Sequence, residues 1–216
     1  MKTRIVYDSS IFIERSIDNV FTSIMEAVGL VLLIIFIFLR SFRSTLIPLV
    51  TIPVSLVGAF TLMWALGFSI NTLTLLAMVL AVGLVVDDAI VVLENVHRHV
   101  ENGLSPKEAS IKGMREIGFA VILMTLTLVA VYLPVAMMEG RTGKLFTEFA
   151  LTLAGAVFVS GFVALTLTPM MTSRMLRHQK HHNKLFNLME ALLNSIDRGY
   201  RKLLNLSLKS VAIGIV

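Results

Sequence analysis

Two carboxylic acids stand side by side in an otherwise apolar run, Leu80-Ala81-Val82-Gly83-Leu84-Val85-Val86-Asp87-Asp88-Ala89-Ile90-Val91-Val92. In a helix that crosses a bilayer, each ionised carboxylate costs about 2.5–3.5 kcal/mol. Repulsion between adjacent like charges raises that cost. Successive helical residues point about 100° apart, so both cannot be turned to lipid cheaply. They must face the interior of a helix bundle. Protonation offers one escape, and a Lys or Arg from another helix offers the other. A group poised between those states is a proton carrier, so Asp87 and Asp88 form the candidate relay. The competing reading is a structural pair that hydrogen-bonds neighbouring helices. No catalytic residue, cofactor or metal site is assigned; the proton would be the only coupling ion.

Other residues could assist. Gly83 lies four residues before Asp87 on the same face and would admit a second helix closely. Glu94 and Asn95 extend the polar stripe seven residues further, although their plainer role is to end a span. Glu26, near the outer end of an earlier span, is expected to snorkel, with a path role as the weaker alternative. Thr125, Thr127, Thr152 and Thr166 are expected to bond their own backbone. His97, His99, His178, His181 and His182 are read as solvated residues of basic loops.

The elements that would position these residues follow from composition. The chain has 216 residues, 56% apolar and 15% charged. Its mean hydropathy is +0.84. Soluble domains run near 45–50% apolar and about 25% charged. An integral membrane protein is therefore the leading class, and disorder is excluded more firmly still. There is no cysteine, so disulfides play no part. Five stretches are long enough to span a bilayer core, which needs about 20 apolar residues. They are Val20–Leu39, Leu46–Leu66, Thr72–Leu93, Phe119–Met138 and Phe149–Thr172, and none contains Lys or Arg. The expected fold is all-α, a polytopic membrane helix bundle.

The net charge of +5 sits in the connectors. Segments 40–43, 95–118 and 174–202 hold 13 of the 19 Lys and Arg; residues 1–19 and 139–148 together hold 5. The positive-inside rule then puts the first group in the cytoplasm and residues 1–19 outside it. Basic loops of this kind give no ground for nucleic-acid binding. Met1–Ser10 has no apolar core of a signal peptide. A non-cytoplasmic start without an export signal carries the expectation of a missing upstream part. Within 95–118, Ser105, Pro106 and Glu108 form a capping box with proline at the first helical position, predicting a short cytoplasmic helix over 106–117. Apolar residues from Leu185 to Leu203 recur at helical spacing, so 183–202 should lie in the membrane interface. Residues 203–216 look like a further span cut off midway. Pro48 and Pro53 predict a kink in the second span.

At this point the chain resembles a known family. Gly67-Phe68-Ser69-Ile70-Asn71-Thr72-Leu73-Thr74, followed by Gly83–Val96 with its Asp pair, is similar to the fourth transmembrane helix of resistance–nodulation–division transporters. Leu46-Ile47-Pro48 through Pro53-Val54 and the Leu167-Thr168-Pro169 ending fit the same family. The adjacent acids resemble its hydrophobe/amphiphile, AcrB-type multidrug branch. The resemblance implies that residues 1–19 end a periplasmic porter region. It also implies that the five spans are helices two to six and that 183–202 is the surface helix joining two halves. The start of helix seven would follow at 203–216. It further implies a bacterial inner-membrane homotrimer working with a periplasmic adaptor and an outer-membrane channel. In the family a Lys of the second half faces the acids matched by Asp87 and Asp88; that half has no counterpart here. The implied activity is proton/drug antiport, with this chain inactive alone. Export of a lipid or metal by a related member, or a purely structural membrane module, are the alternatives. An intramembrane aspartyl protease fits poorly, because its two acids face each other from different helices, whereas these share one.

Overall fold

The computed structural model describes residues 9–39, 41–176, 198–202 and 204–205. The chain divides into two units, residues 1–178 and 179–216. In the first, the described residues form five helices: α1 (Ser9–Leu39), α2 (Phe42–Ala65), α3 (Thr72–Glu101), α4 (Pro106–Ala136) and α5 (Gly140–Met175). Each is long and apolar enough to cross a membrane. No strand occurs among the described residues, so the all-α membrane bundle is the observed architecture. In the second unit, residues 198–202 and 204–205 are helical. The rest of the expected 183–202 surface helix, almost all of 203–216, the first eight residues, and His178, His181 and His182 lie outside the described residues.

The helices outrun the apolar stretches. The helix expected over 106–117 is not separate: it continues into the fourth span as one helix, α4, over Pro106–Ala136. Its start is the predicted capping box, with the Ser105 hydroxyl accepting from the Glu108 N–H and the Glu108 carboxylate accepting from the Ser105 N–H. No proline lies between Pro106 and Pro134, so polar and apolar segments propagate as one element. Likewise α3 runs on to Glu101, carrying His97 and His99 on a helix rather than in a loop. His99 is buried, its Nε2 lying 2.9 Å from Glu116 of α4. His97 Nδ1 lies 3.6 Å from Glu101. The solvated-loop expectation for these two is corrected: helix extension by two turns brings His99 against α4 and pairs His97 with Glu101 of the same helix. Through Pro48 and Pro53, α2 remains one continuous helix.

Two helices end in the same way. Gly67 (φ +71°) and Gly103 (φ +92°) follow the last turns of α2 and α3 in the left-handed region. Phe68 N–H donates to Met63 O and Leu104 N–H to His99 O, closing Schellman motifs. Phe68 and Leu104 then pack back on the core. These turns reverse the chain and set adjacent helices antiparallel.

Helix α5 is the hub. Small residues let three neighbours approach it closely. Gly58 of α2 faces Val159, with space for a Cβ only 2.5 Å from its Cγ1. Gly155 faces Leu62 of α2, and Gly161 is pressed on Thr125 of α4. Against α3 the contact is made by Leu153 and Ala156 packing with Ala77, Met78, Ala81 and Val85. By contrast α1 touches the bundle through a narrow strip, where Ile35 meets Ile52 and Val86. A Cβ on Gly29 of α1 would meet no atom of the described residues within 4 Å.

Candidate proton-carrying site

Helix α3 owes its position to both ends and its middle. At its start, the Asn71 side chain caps the helix by accepting from Leu73 N–H and Thr74 N–H. The same side chain donates to Glu148 of α5 at 2.8 Å. At the middle, the Ser160 hydroxyl of α5 donates to the Val85 carbonyl at 2.8 Å. At the far end, His99 meets Glu116. Partners across α3 and α5 thus lie 77 and 75 residues apart at two levels, so the helices run parallel in constant register.

Within that frame the two acids part company. Asp88 is 1% exposed and faces the α5 side. Ser160 sits beside it, but the hydroxyl proton is committed to Val85, and both carboxyl oxygens of Asp88 lack a hydrogen-bond partner among the described residues. Asp87, one residue earlier, is exposed. It lies on a stripe with Leu76, Leu80, Gly83, Glu94 and Arg98, all exposed, at spacings of three, four or seven. A Cβ on Gly83 would meet nothing within 4 Å. Neither acid forms an ion pair among the described residues. A buried carboxyl without donor or cation is the setting in which proton binding and charge pairing compete.

The remaining sequence candidates are distributed as follows. Glu94 shares the open stripe with Asp87. Asn95 turns inward; its Oδ1 is buried against Gly113 of α4, without a partner among the described residues. Glu26 is exposed on α1, nine residues before the Ile35 contact with Val86, or about 13 Å along the axis. The structure does not bring it to the acids. Thr125, Thr127 and Thr166 bond the carbonyl four residues back, as expected. Thr152 does not: its hydroxyl is buried with no partner among the described residues. Ser160 and Thr168 were not singled out by sequence reasoning. The available signal was a hydroxyl at mid-depth in a span of α5, which periodicity alone could not aim at α3. Among the described residues no group of three or more His, Asp or Glu is arranged to hold a metal ion.

Comparison with known proteins agrees with this architecture. The model of the AcrB/AcrD/AcrF family matches residues 1–216. An uncharacterized transporter of Haemophilus influenzae is 52% identical over 206 residues, covering 95% of this chain and 20% of that protein. Multidrug resistance protein MdtC of Yersinia pestis is 48% identical over 209 residues, covering 96% and 20% respectively. MdtC of Serratia proteamaculans is 52% identical over 179 residues, covering 83% and 17%. The chain therefore spans about a fifth of the length of these relatives.

Proposed function

The chain belongs to the AcrB/AcrD/AcrF family of resistance–nodulation–division transporters, and on that premise we propose that it is the proton-coupling membrane portion of an antiporter for hydrophobic or amphiphilic compounds. The observation that carries this reading is the division of the acid pair: Asp88 buried against α5 without a partner, Asp87 on an open face beside Gly83. An acid buried without donors is tolerated when neutral and penalised when charged. Loss of its proton drives α3 toward a donor or cation, and gain of a proton relaxes it. The cation would come from a helix seated on the Gly83–Asp87–Glu94 stripe. We assign that helix to the second half of the transporter, bearing the Lys implied by the resemblance. Each proton descending 100 mV makes about 2.3 kcal/mol available for the motion. The complete pump would be a homotrimer in the bacterial inner membrane, with the basic helix ends cytoplasmic and residues 1–19 periplasmic. It would work with a periplasmic adaptor and an outer-membrane channel.

Asp87→Asn and Asp88→Asn, each made in the complete transporter, test the reading. The expected result is loss of efflux with normal expression and membrane insertion. Undiminished drug resistance in both variants would reduce the pair to a structural role. The 216-residue chain alone, reconstituted in liposomes, is expected to move no drug in response to a pH gradient.

A further inference from the structure

Buried polar atoms continue past Asp88 toward the basic end of the bundle. The constant register of α3 and α5, with partners 75 to 77 residues apart, sets Thr168 level with about residue 92 of α3. Thr172 is then level with about residue 96. At about 1.5 Å per residue, Thr168, Asn95 and Thr172 succeed one another within about 12 Å of Asp88 along the axis. Ala164, one turn before Thr168, belongs to the same buried cluster as Val92 and Val96 of α3 and Val121 of α4. Thr172, one turn after it, shares a 3.0 Å hydroxyl contact with Ser110 of α4. Thr168 thus lies on the seam where α3, α4 and α5 meet, which Asn95 enters from α3 beside Gly113.

Asp88, Thr168 and Asn95 are not satisfied as membrane-buried polar groups ordinarily are. The Ser110 hydroxyl, by contrast, also reaches Pro106 O and the Thr172 hydroxyl Pro169 O, which leaves that pair its lone pairs to accept from water. Thr61, Thr125, Thr127 and Thr166 each return their proton to the carbonyl four residues back. Thr168 is fully buried, and its hydroxyl has no partner among the described residues. The Asn95 Oδ1 and both oxygens of Asp88 share that condition. Pro169, next to Thr168, also removes the main-chain donor that would serve the Leu165 carbonyl. Leaving such groups dry is costly, whereas water bridging them offsets the loss.

We propose that Asp88 exchanges its proton with the aqueous phase at the basic end along a water-carried track formed by Thr168, Asn95 and the Ser110–Thr172 hydroxyl pair. The track rests on the proton-carrier reading of Asp88 and assigns the side from which that carrier is served. The hydroxyls and the amide oxygen hold the intervening waters in file; the proton passes from the carboxyl to water, and no covalent bond other than O–H is exchanged.

The test uses the complete transporter in proteoliposomes. Thr168→Val keeps the shape of the side chain and removes only the hydroxyl; Asn95→Leu removes the amide. Each is expected to slow proton-driven efflux about tenfold and to raise the ratio of rates in H2O and D2O. Thr168→Ser is expected to restore both. Asp88→Asn, assayed alongside, abolishes efflux. Wild-type rates and isotope ratios for Thr168→Val and Asn95→Leu, with Asp88→Asn inactive, would overturn the track and leave the carrier. An active Asp88→Asn would overturn both. A second measurement does not need turnover. In a background freed of other cysteines, Thr168→Cys is expected to react with a small hydrophilic thiol reagent added at the basic-end face. The equally buried Val157→Cys is expected to stay protected. Protection of Thr168→Cys, or equal labelling of the two, would overturn the track.

Discussion

Asp87 and Asp88 are the same amino acid, one position apart, on the same helix, yet they occupy opposite circumstances. The Asp88 face of α3 is packed: Val85, Ala81 and Met78 are covered by α5 and α2, and Ser160 ties α5 to the backbone. The Asp87 face is open, and its glycine meets no neighbouring atom. A rotation of about 100° along one helix therefore separates an acid committed to this bundle from an acid directed outward. The difference teaches that the pair is asymmetric: Asp88 faces α5, whereas Asp87 faces the open stripe.

The largest effect expected from that contrast is on transport. Exchanging the acid pair for Asn at either position eliminates efflux by the complete pump. Restoration of a single acid at position 88 is not expected to rescue transport while position 87 is neutral. Efflux in that variant would show that the acid on the open face is dispensable, which breaks the contrast.

The next largest effect separates the faces by packing. Gly161→Leu drives a side chain into Thr125 and should destabilise the isolated bundle by at least about 3 kcal/mol, the upper part of the range for overpacking. SDS titration followed by circular dichroism would measure it. Gly83→Leu should leave the same titration within about 0.5 kcal/mol of wild type, as substitutions on open surface do. In the complete transporter, however, Gly83→Leu should reduce efflux severely by holding the partner helix away. A large loss of stability in the isolated chain would mean that the Gly83 face is already occupied.

Smaller effects sharpen the account of how α3 is held. Ser160→Ala deletes the hydroxyl bond to Val85 and is expected to cost about 1 kcal/mol in the SDS titration. Asn71→Ala removes both the cap of α3 and its tie to Glu148, again at about 1 kcal/mol. A double variant close to the sum of the singles is expected, because the sites lie more than a dozen residues apart along α3.

Much of this was legible in the sequence. The five apolar stretches all became helices, because a chain in hydrocarbon must satisfy its backbone internally. The capping box at Ser105 formed as read, since it depends only on residues three apart. The fusion of 106–117 with the fourth span was missed because hydropathy changes at Gly118, although a single glycine there does not stop the helix. His99 was missed for a related reason: it reads as a loop residue until α3 is extended and Glu116 of α4 is brought across. Thr152 and Thr168 look like any membrane threonine, and whether a hydroxyl bonds its own backbone depends on side-chain geometry that residue type leaves open.

What the sequence alone determined is the class of molecule, the sidedness of its charge and the presence of two acids where charge is costly. These follow from composition and from distances along one helix. Tertiary structure decided which acid is buried, which hydroxyl stands beside it and which polar atoms go unpaired beyond it. A helical period states that neighbouring side chains diverge, but not which helix will cover each one. That choice was made by Gly58, Gly155 and Gly161, whose missing side chains let α2, α4 and α5 close together and so fixed α5 against the Asp88 side of α3.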